Sequence, residues 1–142
     1  MTLGLLVVTF FGAVCWGLAP IFGKLGLSNI NPLDGLVART IITLAFLLVW
    51  LIVTNGFHRL LIISSGDWFY LSLEAFLATL AGDLAYYAAL KWGGAGISAV
   101  ILSVSPVFTL ALSNLVFGES FTHPQLLGII MVAVGVLLVA SG

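Results

Sequence analysis

Charge is what this sequence has least of. Four Lys and Arg and five Asp and Glu are spread over 142 residues, 6% of the chain, for a formal net charge of −1. Soluble domains carry roughly 25% charged residues, so nine charges cannot cover a water-soluble fold of this length. The shortage of basic residues also argues against nucleic acid as a partner. Cysteine is nearly missing. Cys15 stands alone, which excludes an internal disulfide and a cysteine-based metal cage. It is read as a small buried apolar side chain rather than a reactive thiol. The two histidines, His58 and His123, fall in separate connections, and neither a nucleophile–base pair nor a phosphate loop is present. These absences argue against an enzyme, a metal site and a cofactor. Finally, "MTLGLLVVTFFGAVCWGLAP" has no Lys or Arg ahead of its apolar core, unlike a signal peptide. It is read as a retained helix.

Apolar side chains fill the space that charge leaves. Hydrophobic residues make up 62% of the chain, and the mean hydropathy is +1.30. The solvent is therefore a bilayer, whose core is crossed by runs of about 20 apolar residues. Five such runs are expected, at roughly 3–24, 33–54, 68–91, 95–117 and 124–141, forming an all-α multi-pass domain over 1–142 in contact with membrane lipid. The connections carry turn and cap chemistry. "SNINPLDG" offers Asn31 as N-cap, Pro32 in the first turn and Asp34 beside the helix dipole. "GESFTHPQ" offers Thr122 and Gln125 at capping-box spacing. "FHRLLII" is read as an interfacial stretch. Basic residues in the connections favour a cytoplasmic C-terminus by only one or two charges, a bias compatible with insertion in both orientations.

Residues at i, i+4, i+7, i+11 and i+15 share a helical face. In the third span this spacing collects Ser72, Phe76, Thr79, Asp83 and Tyr87, and in the second Arg39, Thr43, Phe46, Trp50 and Thr54. The fourth gives Ser98, Leu102, Ser105, Thr109 and Ser113. Such seams line a cavity or simply glue helices together. Depth separates the two uses. At about 1.5 Å per residue, Arg39 lies roughly 9 Å into its span, and Asp83 and Trp16 roughly 12 Å from the ends of theirs on the same side. Trp16, Arg39, Asp83 and Tyr87 are therefore expected in one layer, with Arg39 the partner of Asp83, since an intramembrane charge needs a partner or a wet cavity. Asp83 is either a structural ion-pair partner or a binding or proton-coupling acid. Glu74 is assigned to the opposite face, as a snorkelling carboxylate or a second proton-coupling candidate. Pro20 and Pro106 are expected to interrupt or kink spans one and four.

From Ala89 onward the chain reads "ALKW", a small-residue turn, "L-x-x-x-P-V", "GE-x-x-T" and a final "G-x6-GV" helix; upstream are "WGLAPIFGKLGL" and "NPLDGLVART". In this order the pieces resemble the EamA-type repeat of the drug/metabolite transporter superfamily. The resemblance covers nearly the whole chain. It implies one five-helix repeat of a fold usually built from two repeats of inverted topology, which moves small metabolites, amino acids or drugs across the cytoplasmic membrane. Related small multidrug transporters dimerise antiparallel. By the same resemblance Trp16, Lys24, Pro32, Arg39, Lys91, Pro106, Glu119 and Thr122 fall on the usual pattern. Three positions depart from it. The pattern often has an acid where Ser105 stands, and Asp83 and Glu74 replace apolar or aromatic residues.

The resulting expectation is a half-transporter whose second copy completes a central alternating-access cavity, as an antiparallel homodimer. Its substrate-binding residues are Asp83, Tyr87, Arg39 and Trp16, with Thr79, Ser105 and Thr109 on the wall. Gly128 and Gly135 allow close helix approach, at a dimer contact or within the chain. The alternatives are a non-transporting accessory subunit and one half of a heterodimeric transporter. Proton coupling through Asp83 predicts that Asp83→Asn abolishes the pH dependence of uptake. Uptake and pH dependence that match the unsubstituted protein would exclude such coupling.

Overall fold

The computed structural model describes residues 3–142. Every regular element among these residues is a helix. The elements are α1 (Leu3–Gly26), α2 (Pro32–Val53), α3 (Phe57–Leu61), α4 (Ser65–Ala75), a π-helical segment (Phe76–Gly82), α5 (Asp83–Trp92), α6 (Ala95–Leu102), α7 (Ser105–Phe117) and α8 (His123–Ser141). Five stretches are long and apolar enough to cross a membrane: Leu3–Gly26, Pro32–Val53, Ser65–Trp92, Ala95–Phe117 and His123–Ser141. The all-α, five-span expectation is met, with edges moved by at most three residues.

The boundaries follow local chemistry. Asn31 caps α2, its Oδ1 accepting from the N–H groups of Leu33 and Asp34 at 2.9 and 3.1 Å, which satisfies donors that lack an intrahelical partner. Ser64 caps α4 through Oγ, which accepts from the Asp67 N–H at 3.1 Å. The third span therefore starts three residues earlier than hydropathy alone indicates. At α8 the Gln125 side chain reaches back to the Thr122 N–H at 2.8 Å, as the capping-box spacing anticipates. Gly118 ends α7 with φ 67°, a left-handed cap that a β-carbon disfavours.

Two compact units are present: Phe22–Trp92, and the segment up to Ile21 together with Gly93–Gly142. In the first unit α2 packs on α5. Leu27, Leu36 and Leu90 are its buried apolar residues, and glycines make room for two of them. A β-carbon on Gly35 would run into Leu27 Cδ2 and come within 3.4 Å of the Tyr87 ring; one on Gly23 would lie 3.0 Å from Leu90 Cδ1. Small residues here let helices approach closely, as membrane packing requires.

In the second unit α8 packs on α6 and α7. The fourth span is not one helix. It stops at Leu102, turns at Ser103 and Val104, and restarts at Ser105. Pro106 has no N–H to offer the Leu102 carbonyl, and the Val107 N–H bonds Val104 O at 2.9 Å instead of continuing the ladder. Pro20, by contrast, lies buried inside an unbroken α1.

Two expectations need correction. Cys15 is exposed on α1, not buried, because few side chains are enclosed by the subunit itself. The seam drawn from Ser72 to Tyr87 assumed an uninterrupted α-helix, whereas the π-helical segment lies across it. In a π turn the bonded groups are five residues apart, as when the Asp83 N–H bonds Ala78 O. Each residue then rotates less than in an α-helix, so Ser72 and Glu74 lose the angular relation to Asp83 that regular spacing assigned them. Gly82 suits this segment: a β-carbon there would lie 3.0 Å from the Leu77 carbonyl oxygen.

Gly35→Val overpacks the α2–α5 contact against Leu27 and Tyr87. It is expected to destabilise the protein by about 1–3 kcal/mol, read as a lower melting temperature in detergent, whereas Gly4→Ala, in open space, does not lower the melt.

Candidate ion-pair site in the membrane span

Arg39 lies on α2 one turn after Gly35, and Asp83 lies on α5 one turn before Tyr87. The two helices pack together, so the pairs meet in opposite order. Tyr87 settles on the bare Gly35 backbone. Arg39 donates from Nη1 to Asp83 Oδ2 in an ion pair, and its guanidinium carbon stands 5.9 Å from the centre of the Tyr87 ring. The carboxylate is well enclosed and the guanidinium half open, with side-chain exposures of 13% and 43%. The pair is joined through one oxygen and one nitrogen. Asp83 Oδ1 and the rest of the guanidinium fork make no hydrogen bond among the described residues. Tyr86 meets Tyr87 edge-on, with ring centres 6.5 Å apart.

The partner assigned to Asp83 from depth and facing is thus the one it has. Thr79 lies half-buried in the π-helical segment that delivers Asp83 to α2. Glu74 is exposed on α4. Trp16, Ser105 and Thr109 belong to the other unit. There Trp16 is 67% exposed, and Thr109 Oγ1 donates to the Ser105 carbonyl at 3.3 Å. That unit also holds a groove of about 430 Å³, lined by Pro106, Val107 and Leu110 of α7, Gln125, Gly128, Ile129 and Val132 of α8, and Phe121. The lining is apolar apart from Gln125, so the groove offers no counter-charge.

A second arrangement was not foreseen from the residues. Lys24 Nζ donates to the carbonyls of Leu90 and Lys91 at 2.5 and 3.2 Å. Lys91 Nζ donates to those of Leu27 and Ser28 at 2.7 and 2.9 Å. Each lysine thereby satisfies carbonyls at the C-terminal end of the other's helix, where the helix dipole is negative. The available signal was position: both lysines stand in the last turn of their helices. What spacing does not reveal is that the two ends meet. This reciprocal clasp holds the end of α1 against the end of α5, below the layer of the ion pair.

Ionisable residues paired inside membrane spans are characteristic of substrate and ion pathways, and five spans with such a pair fit a membrane transport protein. Residues 2–141 match the EamA-like transporter family, and the chain belongs to that family. It is 30% identical over 138 residues to an uncharacterized protein of Methanocaldococcus jannaschii, covering 97% of this chain and 93% of that one. It is 32% identical over 123 residues to an uncharacterized transporter of Sinorhizobium, covering 87% and 86%. A probable amino-acid metabolite efflux pump of Salmonella typhimurium is 30% identical over 138 residues, which are 96% of this chain but 41% of the pump. No solved structure matches the chain. It is a multi-pass membrane protein of transporter type.

Replacing Lys24 or Lys91 by Met removes charge-assisted hydrogen bonds to helix-end carbonyls, each set contributing about 1.5–3 kcal/mol. Either variant is expected to melt at a lower temperature in detergent. The double variant should lose less than the sum of the two, because the lysines share one helix junction.

Proposed function

We propose that this chain is a half-transporter, and that two copies in opposite orientations enclose one alternating-access path for a small metabolite or drug across the cell membrane. The observation that carries the reading is the relation of sizes. The chain aligns over nearly all of two relatives of its own length and over only 41% of the pump, as one repeat of a two-repeat architecture does. Two inverted repeats facing each other across a midplane site are a recurrent transporter design, with access alternating as one repeat rocks against the other.

Physical features of the subunit agree. Its apolar helical surface is largely uncovered, Trp16, Phe22, Phe46, Trp50, Leu115 and Met131 all being more than half exposed. Lipid or a second copy must cover it. Among the described residues, β-carbons on Gly128 and Gly135 of α8 would meet nothing within 4 Å, so no close contact within their own unit accounts for these glycines. They leave α8 open to close approach from outside. The Arg39–Asp83 pair is the polar element of the proposed path, with Tyr87 and Thr79 beside it. Trp16, Ser105 and Thr109, in the other unit, are the further residues proposed to meet substrate. The small excess of basic residues on one side suits a chain that inserts both ways.

C-terminal fusions to a cytoplasm-active fluorescent protein and to a phosphatase active only outside are both expected to give signal in cells. The purified protein in detergent is expected to have the mass of two 15.0 kDa chains. A strict single orientation would eliminate the antiparallel form, and a monomeric mass would eliminate the homodimer.

A further inference from the structure

The charges at the α2–α5 contact discriminate between ligands by how many charges a ligand carries and of which sign. Arg39 and Asp83 neutralise each other. Opening such a pair is costly when one member is left alone in a poorly solvated site, and much less so when both find new partners. A ligand with a single ammonium group would take Asp83 and strand the guanidinium. A ligand with a single carboxylate would take Arg39 and strand Asp83, the more enclosed of the two at 13% exposure. A ligand carrying both groups replaces one ion pair by two and strands nothing.

The free valences match the same chemistry. The existing contact joins one nitrogen to one oxygen, so the guanidinium fork retains donors for a carboxylate, which it grips best in a two-pronged fashion. Asp83 Oδ1 is unengaged among the described residues and suits an ammonium. The Tyr87 ring, now overlain by the guanidinium at 5.9 Å, presents a face that attracts a cation once Arg39 turns to the ligand. Because Arg39 and Asp83 are in direct contact, the inserted charges must be close together, as when ammonium and carboxylate sit on one carbon.

We infer that Arg39, Asp83 and Tyr87 form a zwitterion-selective site, which takes compounds of α-amino-acid type by exchanging its internal ion pair for two ligand pairs and rejects compounds bearing one charge alone. This inference rests on the reading of the chain as a transport subunit.

The test uses purified protein in detergent and three matched triads of ligands. They are L-alanine, ethylamine and propanoate; L-leucine, 3-methylbutylamine and 4-methylpentanoate; and L-phenylalanine, 2-phenylethylamine and 3-phenylpropanoate. Binding is read from the rise in melting temperature with ligand concentration. At least one amino acid is expected to bind tenfold or more tightly than its matched amine and its matched acid. In that triad, Asp83→Asn should turn the preference at least tenfold toward the acid, and Arg39→Gln toward the amine. Arg39→Gln/Asp83→Asn leaves no charge unpaired and should lose the preference for the amino acid. A merely structural ion pair would instead weaken all three ligands together. An amine or acid binding as tightly as its amino acid, no binding by any of the nine, or an unchanged preference in the double variant would each overturn the inference. The dimer mass measured on the same samples reports separately on the half-transporter reading.

Discussion

A charged side chain in a hydrocarbon layer must find an opposite charge or water, and the arrangement of Phe22–Trp92 follows from that demand. Arg39 on α2 and Asp83 on α5 meet each other, and α2 and α5 are the helices of this unit that pack most closely. The apolar contacts are arranged around this meeting. Gly35 lets Tyr87 onto the α2 backbone one turn from the ion pair, and Tyr87 in turn presents its ring to the guanidinium. Removing one charge would leave the other stranded, so the two residues act as a unit.

Where helices end, the same demand is met by different chemistry. Carbonyls of the last turn have no intrahelical donor, and in a membrane water is scarce. Lys24 and Lys91 supply donors reciprocally, placing positive charge where two helix dipoles are negative. The unit is thus held by two electrostatic contacts at different depths, one between side chains and one between side chains and backbone. The π-helical segment before Asp83 belongs to this economy. It changes the rotation per residue just before α5, whose Asp83 and Tyr87 face α2.

Among its described residues the other unit carries no such pair. Its α8 packs on α6 and α7 around Val136, and its fourth span is broken at Pro106 beside an apolar groove. Broken helices at membrane depth border the binding site in many transporters, and the fourth span is interrupted at Ser103 and Val104. Together with the uncovered glycines of α8, they describe a subunit with surfaces left for something else to complete.

Much of this was legible in the residues. Five spans follow from apolar runs of bilayer length, the helix starts at Asn31 and Thr122 from capping chemistry, and the break at Pro106 from its missing N–H. The pairing of Arg39 with Asp83 follows from two rare charges at matching depth. Each of these is a local or one-dimensional property, set by side-chain solvation and backbone chemistry along the chain. Other features needed the fold. The lysine clasp, the seat of Tyr87 on Gly35 and the exposure of Cys15 depend on which helices touch, which hydropathy does not encode. The π-helical segment shows the limit most clearly. Its composition is that of an ordinary apolar helix, and Asp83, the residue that directly follows it, meets an arginine 44 positions away in the chain.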